Sequence, residues 1–364
     1  MSAAHDWIEP LVFSAAATVV AVPVVKRVAV ATGFLDRPAP HKVHPQPTPY
    51  LGGAAICIGV LVAVLVARTT VHSGVIGAAA AVLFAAGLVD DRRGMPPLVK
   101  LAIQGAAAVV VFVIGFHLQA EGVWIHLTGV KWVDLVPTFA LFILIPNSVN
   151  LLDNTDGCAA GVVAASTACV LAETIVRGQD QFSIAAAAME GALLGFLVYN
   201  RRPASIFMGD AGSLPLGLLL AVMATRAGVG VQAPVGAEAT FLLLGIPLAD
   251  TATVFIARVL HGRSIFQGGQ DHLSHRLAAS GLSIGYATWT LIVAQAGMGV
   301  VAIALAMGQL GGWWALGFGL AMLSAVVVPA ARPTINRIVY RVSPQGAAPE
   351  GVPLPVSPSS GAAA

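Results

Sequence analysis

Long apolar segments alternate with short polar ones along almost the whole chain. Each apolar segment has about 17 to 25 residues, enough for a helix to cross a hydrocarbon core about 30 Å thick. Because there is no ten-residue alternation typical of a barrel, the pattern predicts an all-α, polytopic integral membrane protein with about 10 to 11 transmembrane helices. The eleven segments are 10–30, 50–67, 74–89, 98–117, 133–150, 158–176, 183–199, 212–226, 237–259, 283–307 and 312–331.

Composition supports this prediction. Of the 364 residues, 57% are hydrophobic and 10% are charged, whereas soluble domains carry about 25% charged residues. A soluble globular protein is therefore excluded. Residues 1–342 are interpreted as one transmembrane domain. The Pro-, Gly- and Ala-rich tail at 343–364 lacks periodicity and is expected to be disordered and cytoplasmic.

The basic residues indicate an orientation. If the loop after the first segment is cytoplasmic, fifteen of the 19 Lys and Arg residues fall on the cytoplasmic side. Such a bias is typical of inner loops, so the N-terminus is expected to be external. Aspartates collect on the same side, whereas Glu350 in the tail is the one glutamate there. Short carboxylates beside Gly and Asn suit a compact site that holds cations and phosphates. The aspartates are Asp36, Asp90, Asp91, Asp153, Asp156, Asp210 and Asp271.

Amides and carboxylates are densest after the fifth segment. Asn147, Asn150, Asp153 and Asp156 are spaced by three residues, so on a helix ending at Gly157 they would share one face. Burying such groups unpaired costs several kcal/mol each. The spacing favours a ligand site over a structural network.

Adjacent carboxylates follow the third segment. Asp90 and Asp91 repel each other unless Arg or a divalent ion lies close. One of them could act as a base or orient a nucleophile. The alternative, a helix end solvated by Arg92 and Arg93, is left open by the pattern.

The loop before the eighth segment combines Asn200, Phe207, Gly209 and Asp210. Glycine near a lone Asp lets backbone N–H groups approach an anion while the carboxylate holds a cation, here Mg²⁺. Phe207 offers a flat face for a nucleobase, although a membrane-interface anchor is the alternative.

Cationic side chains occupy two further loops. Lys42 and His44 lie in a stiff, Pro-rich loop and could reach a phosphate or a base, or serve only as cytoplasmic anchors. If their segment is helical, His272, His275 and Arg276 share one face and form a donor cluster for a diphosphate.

An ionisable residue, Asp250, lies within the ninth segment. Charged groups at membrane depth are costly and usually functional. Asp250 is therefore a further candidate.

These motifs, in this order and on one membrane side, resemble the polyprenyl-phosphate N-acetylhexosamine-1-phosphate transferases (glycosyltransferase family 4). The similarity spans about residues 33 to 285 and rests on Asp90-Asp91, Asn147 to Gly157, Asn200 to Ser213 and His272 to Leu277. It implies transfer of a sugar-1-phosphate, GlcNAc-1-phosphate being favoured, from a UDP-sugar to a polyprenyl phosphate. UMP is the second product, and the reaction is an early step of cell-envelope polysaccharide assembly.

The resemblance also implies roles for individual residues. Asp210 and Asn150 would bind Mg²⁺, or alternatively Mn²⁺, and Asp90 or Asp91 would deprotonate or position the lipid phosphate. The substrate-binding set would be Lys42, His44, Asp153, Asp156, Asn200, Phe207, His272, His275 and Arg276.

The implied location is the bacterial inner membrane, with the active site on the cytoplasmic side. No nucleic-acid partner is expected, and a homodimer is left open. Two alternatives remain at this point: peptidoglycan translocase I, which acts on UDP-MurNAc-pentapeptide, and a polytopic transporter. One residue departs from the pattern, since Asn154 stands where the family usually has Gly. The departure is expected to bear on the choice of sugar rather than on the reaction.

Overall fold

The computed structural model describes residues 6–36, 47–67, 72–117, 125, 127–228, 231–266 and 268–342. Within these ranges the chain forms thirteen α-helices and one short antiparallel strand pair, β1 (Leu35–Asp36) with β2 (Thr48–Pro49). The helices are α1 (Ile8–Thr32), α2 (Gly52–Val66), α3 (His72–Arg93), α4 (Pro97–His117), α5 (Lys131–Leu152), α6 (Cys158–Val176), α7 (Asp180–Asn200), α8 (Asp210–Ala227), α9 (Val235–Leu243), α10 (Gly245–Leu260), α11 (Leu273–Ala279), α12 (Ile284–Ala306) and α13 (Gly312–Val342).

Ten of the eleven predicted apolar segments coincide with one helix each and the ninth with the pair α9 and α10, and the all-α, polytopic membrane fold is confirmed. By length and apolar composition, six described helices can cross a membrane, namely α1, α5, α6, α7, α12 and α13. Counted as one span, the bent pair α9–α10 brings the number to seven. The other described helices are too short or too polar to be counted by length and apolar composition. The number of ten to eleven spans therefore remains a prediction from the sequence pattern.

The ninth predicted span is broken. α9 and α10 meet at an angle of 72°. Gln295 of α12 pairs with the backbone at the break: its Oε1 accepts from Ile246 N at 2.9 Å, and its Nε2 donates to Leu242 O at 3.1 Å and Leu243 O at 2.9 Å. A break at membrane depth needs such partners because lipid offers none.

α8 lies at the centre of the bundle. All but two of its residues after Asp210 are buried, and it packs against α2, α3, α5, α6 and α9. A helix that is apolar on all sides belongs in a protein interior. α8 therefore carries Asp210, its first residue, to the middle of one end of the bundle.

Candidate active site

Asp210 and Asp90 share one cation, Lys100. Lys100 Nζ lies 2.5 Å from Asp90 Oδ2 and also contacts Asp210 Oδ2. The three side chains come from α3, α4 and α8, and each is less than one-fifth exposed. Two carboxylates this close need a positive charge between them. The sequence alone assigns Lys100 no role, because 110 residues separate it from Asp210 along the chain.

Asn150 and Asp210 also lie together, as the motifs imply. Asn150 Nδ2 donates to Asp210 Oδ1 at 2.6 Å and to Ser213 Oγ at 3.0 Å. One turn earlier on α5, Asn147 instead bonds Gln104 of α4 and the Ile143 carbonyl. Of the two asparagines, Asn150 is thus the one that reaches the Asp210 group.

Asp91 has a different environment from Asp90. Its two oxygens accept backbone N–H groups at the start of α8, from Asp210 at 2.9 Å and from Ala211 at 3.1 Å. A carboxylate at a helix N-terminus accepts hydrogen bonds from the free backbone N–H groups and interacts favourably with the positive end of the helix dipole. Asp91 therefore fixes the position of Asp210, whereas Asp90 faces the cation.

Three glycines allow α2 and α3 to lie very close to the start of α8. Gly209, which precedes α8, has φ of 70° and would place a Cβ 2.6 Å from Asp91 Oδ2. A Cβ on Gly87 of α3 would meet Ala211 N at 2.4 Å, and one on Gly53 of α2 would meet Gly212 N at 2.3 Å. Side chains at these positions would push α2 and α3 away from the start of α8. Gly87 carried no signal in the sequence because it lies in an ordinary apolar segment.

The helix predicted through Asp156 ends earlier than expected. α5 stops at Leu152, Asp153 is its C-cap, and Asp156 lies in the turn before α6. The prediction that all four polar residues share one helix face is therefore wrong for these two aspartates. The turn nevertheless keeps Asp153 beside the Asp210 group: burial and the neighbouring Asp210 and Asp91 carboxylates raise the pKa of Asp153 well above its usual value.

Asp156 and Asn200 connect two loops. Asp156 Oδ2 accepts from Ala204 N at 3.1 Å. The buried Asn200 accepts from Gly157 N at 3.1 Å and donates to Ile206 O at 2.9 Å. These bonds hold the loop before α8 against the loop after α5. The contacts of Asp156 and Asn200 with a nucleotide remain predictions.

Phe207 lies beside Tyr50, with ring centroids 6.1 Å apart at an angle of 58°. Its backbone N–H bonds to Pro49 O of β2 at 2.9 Å. The strand pair therefore ends next to the site. Lys42 and His44, which belong to the segment between β1 and β2, lie outside the described residues.

The predicted cationic cluster divides into two parts. α11 begins at Leu273, so His275 and Arg276 lie in the expected helix, whereas His272 is its extended N-cap and lies just outside it. His272 Nδ1 lies 2.9 Å from Asp250 Oδ2. Arg276 Nε donates to the Asp271 carbonyl at 2.8 Å.

Asp271, just before α11, is paired with two arginines. The hydrogen bond and charge of Arg263, together with Arg258, lower the pKa of Asp271, although burial opposes them. Burial and the neighbouring His272 lower the pKa of His275, whose ring centroid is 6.3 Å from that of His272. A neutral imidazole at neutral pH can donate or accept a hydrogen bond.

Asn154, the residue that departs from the family pattern, links the turn after α5 to α11. Its Oδ1 accepts from Thr155 Oγ1 at 2.7 Å and from Ser274 Oγ at 2.9 Å. Ser274 is a buried residue of α11. The position that departs from the usual pattern therefore connects the α5–α6 turn to the His272 region.

Hard oxygen donors, one lysine and aligned backbone N–H groups meet at one end of the bundle. Among the described residues, no group of three His, Cys, Asp or Glu is arranged to hold a metal alone. Mg²⁺ commonly takes one or two carboxylates and completes its shell with phosphates and water. The pair Asp90 and Asp210, already close enough to share a cation, fits that type of site.

Comparison with known proteins agrees with these motifs. The model of the family described as glycosyl transferase family 4 matches residues 73–228. A probable undecaprenyl-phosphate N-acetylglucosaminyl 1-phosphate transferase of Bacillus subtilis (strain 168) is 33% identical over 267 residues, covering 72% of this chain and 74% of the relative.

Two further relatives carry related names. Decaprenyl-phosphate N-acetylglucosaminephosphotransferase of Mycolicibacterium smegmatis is 36% identical over 292 residues, with 71% and 72% covered. Undecaprenyl-phosphate alpha-N-acetylglucosaminyl 1-phosphate transferase of Escherichia coli (strain K12) is 26% identical over 270 residues, with the same coverage of 71% and 72%. The chain belongs to glycosyl transferase family 4, among the polyprenyl-phosphate N-acetylhexosamine-1-phosphate transferases, and is a multi-pass membrane transferase.

Proposed function

We propose that this protein transfers GlcNAc-1-phosphate from UDP-GlcNAc to a polyprenyl phosphate, giving polyprenyl-diphospho-GlcNAc and UMP. The observation that carries the proposal is the meeting of Asp90, Lys100, Asn150 and Asp210 at one end of the bundle. The relatives' names supply the polyprenyl-phosphate acceptor and the transferred N-acetylglucosaminyl phosphate, and the UDP donor comes from the family resemblance. The proposed location is the cytoplasmic face of the bacterial inner membrane, where a soluble nucleotide and a lipid head group can meet.

In the proposed reaction, an oxygen of the lipid phosphate attacks the sugar-bearing β-phosphorus of UDP-GlcNAc. The bond from that phosphorus to the bridging oxygen breaks, and UMP leaves with the electron pair. Mg²⁺, when bound, neutralises charge on the diphosphate. Asp210 and Asn150 would hold the ion, and Lys100, between Asp210 and Asp90, would contribute a second positive charge. Phosphoryl transfer needs placement and charge neutralisation more than covalent help from the protein.

The geometry favours different roles for Asp90 and Asp91. Both Asp91 oxygens accept backbone N–H groups, whereas Asp90 faces Lys100. We therefore assign Asp90 to the lipid phosphate, as a base or an orienting group, and Asp91 to the placement of Asp210. Family membership removes the transporter alternative. The translocase acting on UDP-MurNAc-pentapeptide remains the alternative within the family.

Purified protein with Mg²⁺ and undecaprenyl phosphate tests the proposal. UDP-GlcNAc should release UMP and give a lipid product whose mass equals polyprenyl-diphospho-GlcNAc, and excess EDTA should stop the reaction. UDP-GalNAc, UDP-glucose and UDP-MurNAc-pentapeptide serve as comparison donors. Faster turnover of the pentapeptide donor would favour the translocase, and no UMP from any donor would overturn the proposal.

A further inference from the structure

Asp250 is a buried carboxylate for which the proposed reaction has no use. It lies in α10 and is 0% exposed. Its Oδ2 lies 2.9 Å from His272 Nδ1, and its Oδ1 accepts from Leu273 N at 2.6 Å. Both oxygens are therefore bonded at the first residues of α11. A buried carboxylate is costly unless its partners compensate for lost hydration, and here it has two.

These contacts determine which nitrogen of the His272 ring carries a hydrogen. An ionised carboxylate only accepts hydrogen bonds, so Nδ1 must be the donor. With Nδ1 bonded to Asp250, Nε2 is left for a different partner: it accepts a hydrogen bond when the ring is neutral and donates one, for example to a phosphate oxygen, when the ring is protonated. Hydrolases use a buried carboxylate behind an imidazole in the same way, to hold the ring and fix its tautomer.

A second set of contacts fixes the same short helix to the substrate side. Ser274 Oγ donates to Asn154 Oδ1 at 2.9 Å and lies 3.2 Å from Thr155 Oγ1. Asn154 follows Asp153 directly in the turn after α5. The His272 ring is thus anchored to α10 behind it, and its helix is anchored to the turn that carries Asp153.

We propose that Asp250 is a positioning residue that acts through His272: it accepts from Nδ1–H and, when the ring is protonated, the opposite nitrogen donates its Nε2–H to the diphosphate of the nucleotide sugar. Asp250 itself does not touch substrate. The inference rests on the proposed function, because it takes the diphosphate from that reaction. The competing explanation is that Asp250 only caps α11 and stabilises the fold.

A double-mutant cycle separates these explanations. Asp250→Asn, His272→Gln and the double variant are compared for kcat and KM of UMP release. If Asp250 acts through His272, Asp250→Asn lowers kcat about 10- to 100-fold in the wild type, the range found for carboxylate partners of functional histidines. In the His272→Gln background the same change should then cost less than about twofold. An equal loss in both backgrounds overturns the proposal.

Asp134→Asn is the matched control. Asp134 is also a buried aspartate that accepts backbone N–H groups near a helix start, from Thr128 at 2.9 Å and Gly129 at 3.1 Å, but at the other end of α5. Melting temperatures are recorded for all variants. The control should lose stability and keep kcat within about twofold of the wild type, since an interaction remote from the site adds nothing to the transition state. Loss of kcat in proportion to stability in both aspartate variants would favour the purely structural role.

The protonation of the His272 ring nitrogens can be measured directly on the wild-type protein by NMR. This measurement requires neither enzyme turnover nor a folded Asp250 variant. In protein labelled with ¹⁵N-histidine, the His272 signal is assigned by its loss in His272→Gln. Nδ1 should carry hydrogen, whether the ring is neutral or charged. An Nδ1 without hydrogen overturns the inference. If the wild type releases no UMP, the proposed function fails while this measurement still decides the state of the ring.

Discussion

The two ends of α5 and α6 hold the same kinds of charged residue in different ways. At one end, Asp134 bonds Thr128, six residues away, and Glu173 bonds Arg177, four residues away, at 3.1 Å. At the other end, Asp210 contacts Lys100, Asn150 and Asp91, which are 110, 60 and 119 residues away. A charged residue that pairs with a neighbour along the chain is typical of a structural contact that stabilises the fold. Charged residues that meet from distant segments, with two carboxylates on one lysine, are typical of a functional site.

The largest expected effect is that of Asp210→Asn. The change removes the charge that faces both Lys100 and Asn150, while the side chain keeps its volume. We expect UMP release to fall at least about 100-fold, the usual loss when one preorganised electrostatic group of an active site is removed. The melting temperature should change little. Turnover within about twofold of wild type would contradict the assignment of this cluster as the active site.

Lys100→Met should have the next largest effect. It removes the cation between Asp90 and Asp210 but keeps most of the apolar stem, and we expect a loss of about 100-fold in kcat. Arg177→Gln is the control at the opposite end, because Arg177 pairs with Glu173 and with Ala227 O at 2.5 Å. The control should reduce stability and leave kcat unchanged. Equal losses of kcat in Lys100→Met and Arg177→Gln would contradict the assignment of only one end of α5 and α6 to catalysis.

Asp91→Asn tests the assignment of Asp91 as a capping residue. The amide retains one acceptor for two N–H donors, so we expect a stability loss of order 1 kcal/mol, as for other helix caps. Activity should fall less than in Asp90→Asn. Asp91→Asn only shifts Asp210, whereas Asp90→Asn removes the carboxylate assigned to the lipid phosphate. Denaturation and kinetics are measured on both variants. A larger kcat loss in Asp91→Asn than in Asp90→Asn would reverse the two roles.

Glu173→Gln should affect stability alone. Glu173 is 0% exposed and pairs with Arg177. Weakening a buried charged hydrogen bond costs about 1–3 kcal/mol. Thermal unfolding should detect this loss, with kcat and KM at wild-type values. A change in KM for the nucleotide sugar would show that the two ends of α6 are coupled.

The smallest effect is expected for Asn154→Gly, which restores the residue usual in the family. It removes the bond to Ser274, worth about 1 kcal/mol, so KM for the nucleotide sugar should rise less than about tenfold. Ser274→Ala should match it because it removes the same bond from the other side. Additive effects in the double variant would show that Asn154 acts by another route.

The sequence predicted the long helices well because they follow from continuous apolar runs, one of which holds both α9 and α10. The bend between α9 and α10 was not predicted, since the run is apolar through Leu243, Leu244 and Gly245 and the partner that stabilises the break, Gln295, lies about 50 residues away. Motif spacing brought out Asp210 and Asn150. The roles of Lys100, Asp91 and Gly87 needed the structure because contacts between distant segments leave no local pattern.

The bond pattern of Gln295 has a consequence for how α10 is held. Its one amide supplies both a donor and an acceptor at the break, so a single side chain of α12 pairs with three backbone groups there. The bend is therefore braced from a neighbouring helix rather than by α9 and α10 alone. Because Asp250 lies in α10, a change at Gln295 would be transmitted to Asp250 and His272.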